Sequence, residues 1–501
     1  MSRKKALING TLINGLSTVY VALLTFLLIP IFIENLGVTG YGLIGIANIF
    51  SLLGYISFFD FGMASTVPKF IAEYRSKKQI DNLNELINTS LLLFIIIGVI
   101  LAILIVPFLE YIIEELFSVP PEFFRSFVKV VTVLVVSYIF QFPLLILKGI
   151  LQGFLRFDIL QWALILVETL RFGVVYYLVT NNYGFEVVVY SNIIAPFILT
   201  TIYLVAIVKI FPEYNFRSFS ILSIKKIRKF SSFQFIGKFS SLLYNNTDRF
   251  LIGVFLSPAV MGAYDVLTKI PMMINKFFGL AVSAIIPITS SLDQKTEENL
   301  IKGLYHRGFR FYFAFVCPII CASLFFSNEF ILLWVGPEFL NLYHSLLLMI
   351  MWNLATTFLF GGNILIGLNR GMFELTAFRI GIALVKIISC YLLIKEFNIS
   401  AIPYSYLLSS LLIFYILNVF KRKIGFDSKK FILDVFLIII SGIVPLIINS
   451  YILSKFSLSQ NLFQLGLEVM LWCTIQWVII YLIAFDSEDK KTITSLLKIN
   501  A

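Results

Sequence analysis

Charged and polar side chains recur inside two hydrophobic stretches between Ser231 and Ser291. In SSFQFIGKFSSLLYNNTDRFLIGVFL the residues Ser231, Gln234, Lys238, Ser241, Asn245 and Arg249 follow one another at intervals of three and four. On an α-helix that spacing lines them along one face. In AYDVLTKIPMMINKFFGLAVSAIIPITS, Asp265, Lys269 and Lys276 stand four and seven residues apart, again on one face. A charge at the centre of a membrane-spanning helix costs about 2.5–3.5 kcal/mol on insertion scales and normally faces a bundle interior or a wet cavity. The two helices therefore predict the wall of a polar, largely cationic cavity inside a membrane protein. Arginine and lysine meet phosphate by charge and by several hydrogen bonds, so unpaired cations there suit an anionic head group.

Each candidate has a structural alternative. Asp248 and Arg249 are adjacent, and neighbours on a helix point about 100° apart, so each is expected to find another partner. Asp265 and Lys269 are spaced to pair locally, an alternative to facing the cavity. Lys276 has no acid one turn away and is the stronger candidate for meeting an anion. Lys238 either faces the cavity or snorkels to the interface. Further along, Gln161, Glu168 and Arg171 share a face, and local pairing of Glu168 with Arg171 is the favoured reading. Arg379 and Lys386 lie seven apart, and Asn48, Ser51 and Tyr55 make a milder polar stripe that ends at Asp60. The first hydrophobic span holds only small polar residues, Asn14, Ser17, Thr18 and Thr25, with Pro30.

The elements that position these residues follow from composition. Of 501 residues 59% are hydrophobic and only 13% charged, with mean hydropathy +0.93, whereas a soluble chain carries about 25% charge. The apolar runs are long and continuous, which excludes an alternating β-barrel pattern. At about 20 residues per span the chain holds about fourteen, near 11–33, 42–63, 86–109, 126–149, 159–180, 186–209, 231–256, 264–290, 309–334, 342–367, 375–395, 400–420, 431–453 and 463–485. The expected fold is an all-α polytopic membrane protein.

The net charge of +11 belongs to the loops. Basic clusters fall at Arg3–Lys5, Lys69–Lys78, Lys209–Lys229, Lys295–Arg310, Lys421–Lys430 and Lys490–Lys498, on alternate sides of the spans. This is the cytoplasmic signature, so both termini are expected to be cytoplasmic and nucleic acid is not an expected partner. The segment VPKFIAEYRSKKQIDNLNEL suits a short amphipathic surface helix. Cys317, Cys321, Cys390 and Cys473 all sit in apolar spans, as core residues do. The N-terminal span has no small-residue cleavage site and reads as retained. No phosphate loop, HExxH, GxSxG or paired catalytic carboxylates are visible, so no enzyme activity, cofactor or metal is expected.

An internal echo points to duplication. Ile150-Leu151-Gln152-Gly153-Phe154-Leu155-Arg156 and Ile364-Leu365-Ile366-Gly367-Leu368-Asn369-Arg370 both read I-L-x-G-x-x-R, and VTGYG at 38–42 is echoed by VMGAY at 260–264. Two same-facing halves of six spans imply a pseudo-twofold axis along the membrane normal. The expected organisation is an N-lobe over 1–210, a basic cytoplasmic linker over 211–230, a C-lobe over 231–425, and two further spans with a tail over 426–501.

GVTGYGLIGIANIF, FFDFGMASTVPKFIAEY, LKGILQGFLRFD and NNTDRFLIGVFLSPAVMGAYDVLTKI with PITSSL resemble the polysaccharide flippases of the multidrug/oligosaccharidyl-lipid/polysaccharide exporter superfamily. These are the O-antigen and capsule repeat-unit translocases, and the likeness runs through roughly the first 420 residues. It implies two six-helix lobes around a cavity, and alternating access in the cytoplasmic (inner) membrane. It also implies an undecaprenyl-pyrophosphate-linked oligosaccharide as substrate. Membrane lipid, a coupling ion (H+ or Na+) and a polysaccharide polymerase are the implied partners. Carried over, Arg249, Lys269 and Lys276 contact pyrophosphate or acidic sugar, while Asp60 and Gly62 match the pattern with a role that extends to the purely structural. The chain departs from the peptidoglycan-precursor (lipid II) flippases, which carry cations in span 1. It departs from the cation-coupled drug exporters too, since the only acid near span 1 is Glu34 at its outer end. Those two branches are the alternative functions.

Overall fold

The computed structural model describes residues 3–51, 54–283, 285–290, 292, 298–451, 461–491 and 494. Ser291, Lys295, Lys498 and residues 452–453 of the thirteenth expected span lie outside them. Among the described residues every regular element is a helix. Nine helices there are long and apolar enough to cross a membrane, or ten when the bent pair 121–136 and 138–153 counts as one span. The run Met372–Ile424 holds the eleventh and twelfth expected spans together. The seventh lies within the helix Ile221–Phe255 and the eighth within the helices Pro258–Ser283 and Ile285–Ser290, none of which is among those nine.

The chain forms two compact units, Met1–Val266 with Ile394–Ile399, and Leu267–Leu393 with Ser400–Ala501. The first contains α1 (Arg3–Ala47), α2 (Met63–Ser76), α3 (Ile80–Ile105), α4 (Leu109–Leu116), α5 (Pro121–Val136), α6 (Tyr138–Gly153), α7 (Phe157–Thr180), α8 (Glu186–Ile210), α9 (Ile221–Phe255) and the start of α10 (Pro258–Ser283). Its core comes from α6 packed on α2, α3 and α8, with α7 lying on α1 and α8.

One expected element is corrected. The second expected span, 42–63, is not a single helix: α1 ends at Ala47 and short 3-10 turns occupy Asn48–Phe50 and Tyr55–Asp60 before α2 begins. Phe61 and Gly62 are both left-handed, at φ 49 and 74, and Asp60 accepts the Gly62 N–H at 2.8 Å. Such a side-chain turn competes with the helix ladder. The amphipathic helix expected after it is α2, which buries Thr66, Val67, Ile71 and Tyr74 on one face.

The two I-L-x-G-x-x-R segments close in the same way. Leu155 and Asn369 both take left-handed φ, 58 and 52, and the N–H groups of Arg156 and Arg370 return to Leu151 and Leu365 at 2.9 and 3.0 Å. The shared glycine is where another helix crosses. A Cβ on Gly153 would stand 2.6 Å from Ile71 of α2, and one on Gly367 would stand 1.9 Å from Thr289 of α11 (Ile285–Ser290).

The basic segment after α8 is strapped to the start of α3. Asn84 and Asn88 donate to the carbonyls of Glu213, Asn215 and Ser218 at 3.0, 2.6 and 3.0 Å. The Tyr214 hydroxyl donates to Asn88 at 2.6 Å, and the Ser220 N–H to Thr89 at 3.0 Å. Polar side chains at a helix start thus satisfy backbone groups that an irregular segment leaves open.

The second unit contains α11, α12 (Glu298–Phe325), α13 (Ser327–Trp334), α14 (Tyr343–Thr357), α15 (Phe360–Gly367), α16 (Met372–Phe397) as far as Leu393, α17 (Ala401–Ser410), α18 (Ile413–Ile424), α19 (Ser428–Ile440), α20 (Ile443–Tyr451) and α21 (Leu462–Ile483). The last spans are built into it: Ala322 and Phe326 pack with Leu465, Trp472 and Cys473. Arg310, read above as a loop cation, lies inside α12, is 3% exposed, and meets Asp434 at 3.1 Å, Asp486 at 3.0 Å and Asp489. It joins α12, α19 and the segment after α21. Cys317 and Cys321 are free thiols 3.8 Å apart in the same packed region.

Candidate functional site

The ten expected site residues do not form one constellation. Eight of them lie in the first unit, where they make three groups and one isolated contact.

The first group joins α9 to the start of α10. Arg249 Nη2 donates to Asp265 Oδ1 at 2.8 Å, with the two side chains 19% and 4% exposed. One position earlier on both helices, the Tyr264 hydroxyl donates to Asp248 at 3.1 Å, and Asp248 is fully buried. Adjacent residues on each helix thus make two rungs, as their divergent directions require. Tyr41 of α1, also buried, lies within electrostatic reach of Arg249 and Asp265.

Tyr41 arrives there because the backbones touch. A Cβ on Gly42 would fall 1.7 Å from the Pro258 carbonyl, and one on Gly262 would fall 2.4 Å from the Val38 carbonyl. The segments VTGYG and VMGAY, noted above as echoes of each other, therefore pack directly together, and a side chain at either glycine would push α1 off α10. α1 itself breaks at Gly37, whose φ of 69 and ψ of 169 are not helical.

The second group is Lys238 with Asp60, 2.5 Å apart, where Asp60 is 1% exposed. Lys238 therefore turns to a buried carboxylate. The third is Arg171 with Glu168 at 2.8 Å, the local pair expected from their spacing. Arg171 also donates to Asn192 of α8 at 2.8 Å, and Asn192 reaches Asn48 at 3.5 Å. Lys148 of α6 lies within electrostatic reach of Glu168. Alongside, Ser17 donates to Gln161 at 2.5 Å and Tyr20 meets Thr169 at 2.7 Å, so these two residues of α1 face α7. Asn245 bonds only one turn back, to Ser241, among the contacts seen for it.

The remaining two, in the second unit, differ in exposure: Lys276 is exposed and Lys269 half-buried. On α16, Lys386 is fully buried and donates to the Tyr406 hydroxyl at 3.0 Å while Arg379 is exposed, so seven-residue spacing did not give them one environment.

One expectation is thereby corrected. Lys238 and Arg249, offered above as unpaired cavity cations, each face a carboxylate. Burying a charge without a partner is too costly in low dielectric, and the partners come from other turns or helices that a single-helix stripe does not display. Tyr41, Tyr264, Asn192 and Lys148 were missed for the same reason. The only sequence signal for Tyr264 was its place in the VMGAY echo.

Residues 7–293 match the family model described as "Polysaccharide biosynthesis protein". Among solved structures, the lipid II flippase MurJ in an inward closed conformation is similar at 14% identity, covering 93% of this chain and 97% of that one, with a TM-score of 0.73. A multidrug resistance MATE family transporter of the MOP superfamily, in an inward-facing conformation, is similar at 15% identity, covering 83% and 94%, with a TM-score of 0.58. An outward-facing structure of a MATE family transporter matches at 14% identity and a TM-score of 0.55, covering 84% and 96%. At these identities the likeness is one of fold. No curated protein matches the sequence.

Proposed function

The chain belongs to the polysaccharide biosynthesis protein family, and from that premise we propose that it is a flippase for undecaprenyl-pyrophosphate-linked oligosaccharide repeat units. It moves them from the inner to the outer leaflet of the cytoplasmic membrane by alternating access. Both termini are cytoplasmic in this reading, and the lobe boundary is the basic segment 211–230.

The observation that carries the reading is the buried Arg249–Asp265 pair that joins α9 to α10. Ionisable residues at such depth are expensive and mark substrate or ion paths. A guanidinium held by one carboxylate offers its remaining donors to a second anion, and pyrophosphate matches that fork. The head group then competes with Asp265 for Arg249, so the pair opens when substrate is bound and closes when it leaves. Lys276 and Lys269 supply further positive charge along α10. In the empty state Asp265 balances the Arg249 charge, which lowers the cost of burying it.

The test is the pool of lipid-linked oligosaccharide in a deletion strain, with surface polysaccharide measured beside it. Accumulated repeat units and lost surface glycan, both restored by the intact gene, are the expected result. Unchanged glycan with altered sensitivity to cationic dyes would overturn it in favour of an exporter. Arrested peptidoglycan synthesis would instead assign the lipid II branch.

A further inference from the structure

An apolar recess lies in the second unit. It is a groove of about 530 Å³ between α18 and α19. Phe414, Leu417 and Lys421 line it from α18, Phe431 and Val435 from α19, and Phe358 forms part of its floor. The α18 residues recur at three and four, so they make one stripe along that helix. The rim is apolar and exposed, with Phe414 at 74% and Ile432 at 66%, and both helices belong to candidate membrane spans. Such a rim faces hydrocarbon.

The groove carries its charge at one end, while Ser410, which also lines it, turns its hydroxyl to the Leu407 carbonyl at 2.6 Å. Lys421, Asn418 and Ser428 line it there, beside the basic run Lys421, Arg422 and Lys423 and the lysines 429 and 430. Lys423 is occupied by Glu374 at 3.0 Å. Lys421 is exposed and has no ion pair among the described residues. An apolar channel with an ammonium, an amide and a hydroxyl at its mouth complements one class of molecule: an acyl chain that ends in an anionic phosphate ester. Its volume is within the range of about 300–1,000 Å³ that small-molecule sites span.

We propose that this groove binds an anionic phospholipid of the leaflet on the basic side, one acyl chain between α18 and α19 and its phosphate at Lys421. The chain stacks against Phe358, Phe414 and Phe431. The site shares no residue with the Arg249–Asp265 pair and does not depend on which glycan is carried.

The experiment uses the full chain, purified in detergent, stripped of lipid, and titrated with phosphatidylglycerol or with phosphatidylcholine of the same acyl chains. Bound lipid is counted by native mass spectrometry. One tight phosphatidylglycerol site is expected, with phosphatidylcholine weaker. Lys421→Ser should weaken it about fivefold, the effect of one lysine near an anionic lipid surface. Lys423→Ser removes the same charge outside the groove and should leave binding unchanged. Leu417→Trp fills the groove and should abolish the tight site in a protein that remains monodisperse. Equal binding of the two lipids, equal losses in the two lysine variants, or full binding by Leu417→Trp would each overturn the proposal. So would displacement of the phospholipid by a polyprenyl phosphate at matching concentration, which would assign the groove to the substrate's own tail.

Discussion

Replacing Arg249 with methionine removes a guanidinium 2.8 Å from Asp265 and keeps most of the side-chain volume. At an effective dielectric of about 20, two unit charges at that distance attract by about 6 kcal/mol. Desolvation of both groups cancels part of this, and breaking one side of a buried pair costs about 3–5 kcal/mol in measured cases. Arg249 is 19% exposed, so water softens the loss and the lower end, about 3 kcal/mol, is expected. Thermal unfolding of the purified protein in detergent reads this directly. The double variant Arg249→Met with Asp265→Leu replaces both charges by apolar groups, which is often neutral or stabilising. It should recover the stability that the single variant loses. Surface polysaccharide in the complemented deletion strain should still be missing, because the anion's partner is gone. Two results would sink the reasoning. A loss below about 1 kcal/mol in the single variant would make this a solvated pair of the surface kind. Surface glycan restored by the double variant would make it a packing device.

Three further outcomes follow from the fold. Gly367→Ala should be strongly destabilising because its Cβ would meet Thr289 Oγ1 at 1.9 Å, while Gly173→Ala, with nothing within 4 Å, should be neutral or gain up to about 1 kcal/mol of helix propensity; paired melting curves compare them. Asn88→Ala strips the partners of two linker carbonyls and of the Tyr214 hydroxyl, a loss of about 1–3 kcal/mol for the strap, visible as faster hydrogen exchange over residues 213–220. Asp486 is held below the ordinary aspartate value of 3.8, first by the Asp489 N–H and then by Arg310. A lowered folded-state pKa adds stability above 3.8 that is lost as pH falls through the folded value. Because Asp486 is 46% exposed, the effect is under about 1 kcal/mol, and Asp486→Asn should flatten that acid limb in pH-dependent melting.

Much of the architecture was legible because it rests on local rules. Long apolar runs interrupted by basic loops read directly as helices that cross a membrane, since only helices and closed barrels satisfy their backbone there and continuous runs are not a barrel's alternation. The I-L-x-G-x-x-R echo was legible as a repeat, and both copies end in the same left-handed cap with a helix crossing the glycine. Span 2 was misread because hydropathy does not register a side-chain turn. Asp60 and Gly62 hold the chain in a left-handed bend within an otherwise apolar stretch.

The candidate site was legible in its membership and not in its pairing. Helical periodicity alone placed Lys238, Asn245 and Arg249 on one stripe and Glu168 beside Arg171, because those relations lie within one helix. The partners Asp60 for Lys238 and Asp265 for Arg249 lie 178 and 16 residues away, and Arg310 finds Asp434, Asp486 and Asp489 from 124 to 179 residues off. Such matches depend on which helices touch and at what height. Those in turn depend on contacts such as Gly42 against Pro258 and Gly262 against Val38, where the absence of a Cβ lets backbones meet. The amino-acid sequence by itself determined which segments are helical and membrane-embedded, and which residues are too costly to bury without purpose, because these are properties of single residues and their spacing. Only the tertiary structure decided which carboxylates Lys238 and Arg249 meet. A charge in low dielectric is stabilised by whichever opposite charge the packing brings within about 3–4 Å, and that neighbour is not encoded nearby in the chain.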